Sequence, residues 1–300
     1  MIKVTNVSKS FEKEAVVNQL SMHVKKGSIY GLLGSNGAGK TTLMKMLAGL
    51  YKPDSGSVVI DSQEVFENVP LKERVIFLPD TLYFFHQATI EQMATFYRRT
   101  YPRWNEKRYQ QLKQVFDIDT SRKIHRLSKG MQRQVAFWLV FSSMPDILIL
   151  DEPIDGLDAV MRGKIKNILV QEVAERNMTV LISSHNLREV EDLCDHVGIM
   201  HRGQLLIERD LDDLKSDVHK IQVAISEEKE EGFLSELTVL HKERRGSILI
   251  SIVKGEPSKV EKYVKTWNSP VFDILPLTLE EIFVYEMGDH GYAIENILIQ

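Results

Sequence analysis

A single cysteine, Cys194, stands among 300 residues. No internal disulfide can form, and the chain suits a reducing compartment. A surplus of positive charge is missing too: 38 basic against 42 acidic residues leave a formal net charge of −4. Duplex nucleic-acid binders usually carry a basic excess to meet phosphates, so no nucleic-acid partner is expected. The longest apolar run, Val135 to Phe141, falls far short of the roughly 20 residues that cross a bilayer. Met1 to Thr5 has no basic segment leading into an apolar stretch, and no secretory leader is expected. Repeats and low-complexity tracts are also missing. The prediction is a soluble chain that reaches a membrane only through a partner, and 43% hydrophobic residues suffice for a core without staples.

Several short apolar segments end in polar, chemically capable residues. Ser28 to Leu33 (SIYGLL) is predicted to be a buried strand running into a glycine-rich turn, and Thr41 to Leu50 carries Leu43, Met46, Leu47 and Leu50 at helical spacing. Asp146 to Leu150 ends in two carboxylates, Thr179 to Ile182 in Ser183, Ser184 and His185, and Val197 to Met200 in His201 and Gly203. Strands alternating with helices predict a parallel α/β sheet with ligands at the carboxyl ends of its strands. Between Pro79 and Ser128 the pattern turns helical, with segments Ile90 to Arg99 and Asn105 to Phe116, and a helical subdomain is expected over about 82–142. After about Ser216 the order changes to strand Lys220–Ser226, helix Glu231–Leu237, strands Val239–Lys242 and Ser247–Val253, helix Ser258–Trp267 and strand Phe272–Leu277. That β-α-β-β-α-β order matches a ferredoxin-like unit. The expected domains are therefore 1–216 and 217–300.

Gly34 to Thr42 (GSNGAGKTT) satisfies the phosphate-loop pattern between a strand and a helix. Gly34, Gly37 and Gly39 let backbone N–H groups of the Ser35, Asn36 and Ala38 turn curl around a phosphate. The helix that follows points its positive end at the same anion. Lys40 supplies a mobile charge for the β- and γ-phosphates, and the Thr41 hydroxyl, next to Thr42, suits Mg²⁺. Asp151 ends the strand ILILD where a magnesium carboxylate belongs. Glu152 follows it, placed to take a proton from an attacking water; by themselves the two acids could equally cap a loop.

Leu127 to Gln134 (LSKGMQRQ) opens an apolar helix, with Ser128 at the N-cap position and Gly130 behind it. In this order, between phosphate loop and acidic strand, it resembles the LSGGQ signature of ATP-binding cassette ATPases. The resemblance runs from Met1 to about Leu214. It implies a RecA-like P-loop core with an antiparallel β subdomain and an inserted helical subdomain, binding ATP and Mg²⁺. It makes Asp155 to Asp158 (DGLD) the loop that crosses a dimer interface and His185 the histidine that contacts the γ-phosphate. Phe11 takes the place of the aromatic that stacks on adenine, although a core phenylalanine would read the same way. Asp80, after strand Val75–Leu78 and Pro79, stands where the family usually has glutamine, and can bind Mg²⁺ through water. Lys129 for a signature glycine and Met131 for its glutamine are milder departures.

The resemblance further implies a head-to-tail dimer in which Ser128 and Gly130 of one copy, or of a close paralogue, face the phosphate loop of the other. Lys40, Glu152 and His185 then carry catalysis. An integral-membrane permease would hold the chain at the cytoplasmic face of the membrane, with Tyr83, Phe84, Phe85 and His86 lining its groove or packing the insertion onto the core. Pro276 to Gly288 (PLTLEEIFVYEMG) resembles the ending of subunits that serve bacterial exporters of drugs and antimicrobial peptides; an amphipathic helix burying Leu279, Ile282 and Phe283 would look similar. Two rivals stay open: a soluble cassette without a transport role, and a nucleotide-sensing regulatory module. The gap from Thr42 to Leu127 is too short for the coiled coils of repair and chromosome members. A single motif set argues against the two-cassette translation factors.

Overall fold

Ile29–Leu33, Ile147–Asp151 and Thr179–Ser184 are buried at every residue. Strands of a parallel sheet covered on both faces need such unbroken apolar runs. The computed structural model describes residues 1–275 and 277–289. In chain order the first elements are β1 (Ile2–Phe11), β2 (Glu14–Val24), β3 (Ile29–Leu33), α1 (Lys40–Leu47), β4 (Ser55–Ile60), β5 (Gln63–Glu64), α2 (Val69–Lys72) and β6 (Val75–Leu78). The helical insertion follows with α3 (Ile90–Thr100), α4 (Glu106–Phe116), a 3₁₀ turn (Ile124–Arg126) and α5 (Lys129–Ser142). The chain then returns to the sheet with β7 (Ile147–Asp151), α6 (Ala159–Arg176), β8 (Thr179–Ser184), α7 (Leu187–Glu191), β9 (His196–His201), β10 (Gln204–Asp210) and α8 (Leu211–Ser216).

The main sheet has the order β10-β9-β3-β8-β7-β6, and β3, β8, β7 and β6 pair in parallel. Its register sets Leu33 opposite Ser184, Asp151 opposite Ser183 and Leu78 opposite Leu150. The phosphate loop, the acidic pair, His185 and Asp80 therefore leave the sheet along one edge. A second sheet, β2-β1-β4-β5, is the antiparallel subdomain. Its first strand turns Ile2, Val4 and Val7 inward, with a register shift between Val4 and Val7 around Asn6, whose φ of 47° marks a bulge. The shared core includes Tyr30, Leu32, Leu43, Leu47, Ile149 and Leu181.

The apolar run Val135–Phe141 lies wholly inside α5 and is fully buried. Trp138 stacks on Tyr109 of α4 at 4.9 Å and donates its indole N–H to the Tyr109 carbonyl at 2.9 Å, which satisfies its one polar atom. Helix α1 stops at Leu47, short of the predicted Leu50, because Gly49 adopts φ 66° and turns the chain out of the helix.

The described residues form two compact units, one of residues 1–185 and 198–208 and another of 186–197 and residues from 209 onward. The segments around α7 and α8 go with the C-terminal unit. That second unit contains β11 (Val218–Ala224), α9 (Glu227–Leu234), β12 (Thr238–Arg245), β13 (Ile248–Lys254), α10 (Pro257–Thr266), β14 (Phe272–Leu275) and α11 (Leu279–Asp289). Its antiparallel sheet runs β12-β13-β11-β14, the ferredoxin-like arrangement predicted from element order. Ile221, Val223, Phe233, Leu249, Val253, Val260 and Val264 form its core. Helix α9 starts four residues before the prediction, since Glu227, Glu228 and Glu230 favour its N-terminal turn. Leu279 and Ile282 are buried; Pro276, the side chain of Phe283 and residues 290–300 lie outside the described residues.

Candidate nucleotide-binding and hydrolysis site

The loop between β3 and α1 wraps one end of a cleft of about 270 Å³, lined by Val16, residues 35–42, Asp80, Asp151 and Glu152. Two of its glycines are compulsory. A Cβ on Gly34 would sit 2.3 Å from the Met200 carbonyl oxygen, and one on Gly39, at φ 102°, would lie 2.5 Å from the Val16 carbonyl oxygen. Both obstacles are backbone and cannot yield. Gly39 is also the N-cap of α1 and offers no side-chain cap, so the first-turn N–H groups stay available to an anion. Lys40 is buried and folds back, donating from Nζ to the carbonyls of Gly34 at 2.6 Å and Ser35 at 3.2 Å. Three phosphate-binding devices thus converge: a tight turn, a helix N-terminus and a held ammonium.

The end of β7 supplies the acids, and the end of β8 supplies a hydroxyl that holds them. Thr41 Oγ1 donates to Asp151 Oδ2 at 2.7 Å, and Ser183 Oγ donates to Asp151 Oδ1 at 2.6 Å. The Ser183 hydroxyl in turn accepts the N–H of Glu152 at 3.0 Å. Glu152 has φ 46°, a left-handed conformation uncommon for a residue with a long side chain. The kink swings its carboxylate out of the strand alternation, 3.6 Å from Lys40 Nζ and 3.0 Å from His185 Nδ1. Ligand atoms of Glu152, Asp155 and His185 lie within 4.8 Å of one another.

The other candidates lie apart. Ser128 is the N-cap of α5, its hydroxyl accepting the Met131 N–H at 3.2 Å, and it is exposed. A Cβ on Gly130 would crowd the Gly156 carbonyl oxygen at 3.0 Å. Neither lines the phosphate cleft of its own chain. Phe11 is exposed at the end of β1, edge-on to Tyr51 at 5.5 Å; exposure sets it apart from a core phenylalanine. Asp80 borders the cleft, but its carboxylate Oδ1 accepts from Arg133 Nη2 at 3.0 Å.

Two residues with no role assigned from the sequence matter here: Ser183, which ties Asp151 to the Glu152 backbone, and Arg133. The strand-end position of Ser183 was a usable signal. For Arg133 there was none, because a cation in an amphiphilic helix start ordinarily faces water.

A phosphate loop at the carboxyl edge of a parallel sheet, with paired carboxylates on a neighbouring strand, defines a P-loop nucleotide-binding protein. The chain belongs to the ABC transporter family, as an ATP-binding subunit. Residues 17–155 match the family described as ABC transporter. The ABC transporter ATP-binding protein YtrB of Bacillus subtilis (strain 168) is 31% identical over 96% of this chain and 98% of its own length. The bacitracin transport ATP-binding protein BcrA of Bacillus licheniformis is 34% identical over 72% of this chain and 71% of its own. A solved ATP-binding subunit of an ABC transporter superposes with a TM-score of 0.67 at 26% identity, covering 72% of this chain and 92% of that one. The chain therefore binds ATP and is a member of an ATPase family. Among the described residues no helix is long and apolar enough to cross a membrane.

Proposed function

We propose that this chain is the ATP-hydrolysing motor of a membrane exporter of antimicrobial peptides or drugs, and that it works as a dimer of cassettes on a separate permease at the cytoplasmic face of the membrane. The observation that carries the hydrolytic part is the position of Glu152. Its carboxylate stands between Lys40 and His185 at the mouth of the phosphate cleft. There it takes a proton from the water that attacks the γ-phosphate, an assistance typically worth 10²–10⁴-fold. Lys40 and the N-terminus of α1 meet the β- and γ-phosphates, while His185 holds the Glu152 carboxylate from its other side.

Thr41 and Asp151 present two oxygens side by side, a donor set that suits a hard cation. They would hold Mg²⁺, which when bound with the nucleotide neutralises charge on the β- and γ-oxygens. Phe11 is assigned to the adenine face. Ser128 and Gly130 are exposed or half-exposed away from their own phosphate loop, as residues serving a second copy would be. ATP then closes the dimer and hydrolysis reopens it, the two-state cycle that drives the permease. Residues 1–216 are assigned the nucleotide chemistry and 217–300 an accessory role at the dimer. The export reading is supported by the similarity to BcrA, a bacitracin transport ATP-binding protein.

The test is Glu152→Gln. The purified variant is expected to bind ATP as the wild type does, to release phosphate at least a hundredfold more slowly, and to elute as an ATP-dependent dimer. Hydrolysis at the wild-type rate would remove the general-base assignment.

A further inference from the structure

We infer that Arg133 is the positioning residue that aims Glu152, and that Asp80 serves by holding Arg133 and not as a magnesium ligand. The inference rests on the general-base reading of Glu152. Arg133 lies in the first turns of the signature helix α5 and is only 8% exposed. Its guanidinium reaches two other segments at once. Nη1 donates to the Glu152 carbonyl, and Nη2 donates to the Asp80 carbonyl at 2.7 Å and to Asp80 Oδ1 at 3.0 Å. One planar fork thereby joins the helix behind Ser128, the chain leaving β6 and the chain leaving β7. A rigid, multidentate donor suits this task where a lysine ammonium does not.

The bond to Glu152 matters because of that residue's backbone. A left-handed φ on glutamate persists only where surrounding contacts over-determine it. Ser183 fixes the N–H side of Glu152 at 3.0 Å, and Arg133 fixes the carbonyl side. With both clamps in place the carboxylate points at Lys40 and His185. Released on one side, residue 152 can relax towards extended geometry, where strand alternation turns its side chain away from the cleft. Displacements of about 1 Å at a reacting group are enough to cost about 10²-fold in rate.

Asp80 completes the device. A guanidinium nine-tenths buried requires a counterion, and Asp80, itself exposed on its other side (59%), provides it. The glutamine that the resemblance expects at 80 would leave this cation unbalanced. Asp80 also begins the loop that carries the exposed Tyr83 and Phe85 towards α3. A push on that loop therefore reaches the Glu152 backbone through one side chain.

The experiment uses the full chain with wild type, Arg133→Gln, Arg133→Lys, Asp80→Asn and Glu152→Gln, measuring phosphate release against ATP and Mg²⁺ concentration, and ATP affinity separately. Arg133→Gln is expected to lower kcat about 10–100-fold while ATP affinity stays within about twofold, since the phosphate loop is untouched. Arg133→Lys keeps the charge but reaches one carbonyl, and should fall between. Asp80→Asn keeps an acceptor for Arg133 but loses the charge, so it should lower kcat by only about threefold to tenfold, without moving the Mg²⁺ concentration for half-maximal rate. Wild-type turnover by Arg133→Gln beside an inactive Glu152→Gln would overturn the inference and leave the base reading intact; an active Glu152→Gln would overturn the base reading itself. A tenfold rise in Mg²⁺ requirement in Asp80→Asn alone would make Asp80 a ligand and overturn its half. Where Arg133→Gln fails to fold, Arg133→Lys decides: wild-type kcat overturns the inference, and a fivefold or greater fall at unchanged ATP affinity supports it.

Discussion

Thr41 and Asp151, 110 positions apart in sequence, meet through a 2.7 Å hydrogen bond from the threonine hydroxyl to the aspartate carboxylate. The start of α1 and the end of β7 are thereby pinned at the place assigned to the cation. Asp151→Asn keeps an acceptor for Thr41 but loses the charge. The Mg²⁺ concentration giving half-maximal ATP hydrolysis should rise roughly 10–100-fold. A Mg²⁺ titration of phosphate release checks this; an unchanged requirement would place the cation elsewhere.

Ser128 has two separable jobs. As N-cap it accepts the Met131 N–H, and across a dimer it is assigned to a phosphate. Ser128→Asp should preserve the cap, because aspartate serves as well as serine there, so the thermal midpoint should hold. The same carboxylate would face the phosphates bound by a second copy. ATP-dependent dimerisation, followed by light scattering in the Glu152→Gln background, should be lost. A variant that still dimerises with ATP would confine Ser128 to capping.

A buried acid helps to tie the helical insertion to α6. Glu172 on α6 is 4% exposed and pairs with Arg108 of α4 at 2.5 Å and with Arg176. Removing it strands two partly buried guanidinium groups, so Glu172→Ala should cost about 3 kcal/mol. Urea unfolding in a Trp267→Phe background, which leaves Trp104 and Trp138 as reporters, would measure it. A loss below about 1 kcal/mol would mean that water replaces the pairing.

Asp146 carries a pH dependence whose sign can be worked out. Burial favours its neutral form, but hydrogen bonds from Arg74 at 2.6 Å and from Arg103 outweigh burial and hold the carboxyl below the usual aspartate value. Its stabilisation is then complete above the unfolded-state pKa near 3.9 and is lost as pH falls through the lower folded value. Asp146→Asn should cost about 1 kcal/mol at neutral pH, a modest figure because the pair is partly exposed. The gap to wild type should stay constant from pH 8 to 5 and close below about pH 4. A gap that widens in acid would reverse the assignment.

The phosphate loop and the acidic strand were legible because local chemistry dictates them: glycines where backbone must pass backbone, apolar runs where both faces are covered. The ferredoxin-like order was legible for the same reason. By contrast, the alternation of β1 is broken by the bulge at Asn6, so periodicity did not delimit it. The kink at Glu152 and the bond from Arg133 to its carbonyl depend on three distant segments meeting, which no window of sequence contains. Asp80 shows the difference most clearly. Its position in the order was visible, while its partner was not.

The backing of the phosphate loop comes from far down the chain. Gly34 abuts the Met200 carbonyl, and the Gly203 N–H bonds to the Ala38 carbonyl at 3.0 Å. During synthesis the ribosome therefore delivers the glycines, Lys40 and even Glu152 well before the strand that backs the loop. A nascent polypeptide has no finished nucleotide cradle until β9 and the turn after it have emerged.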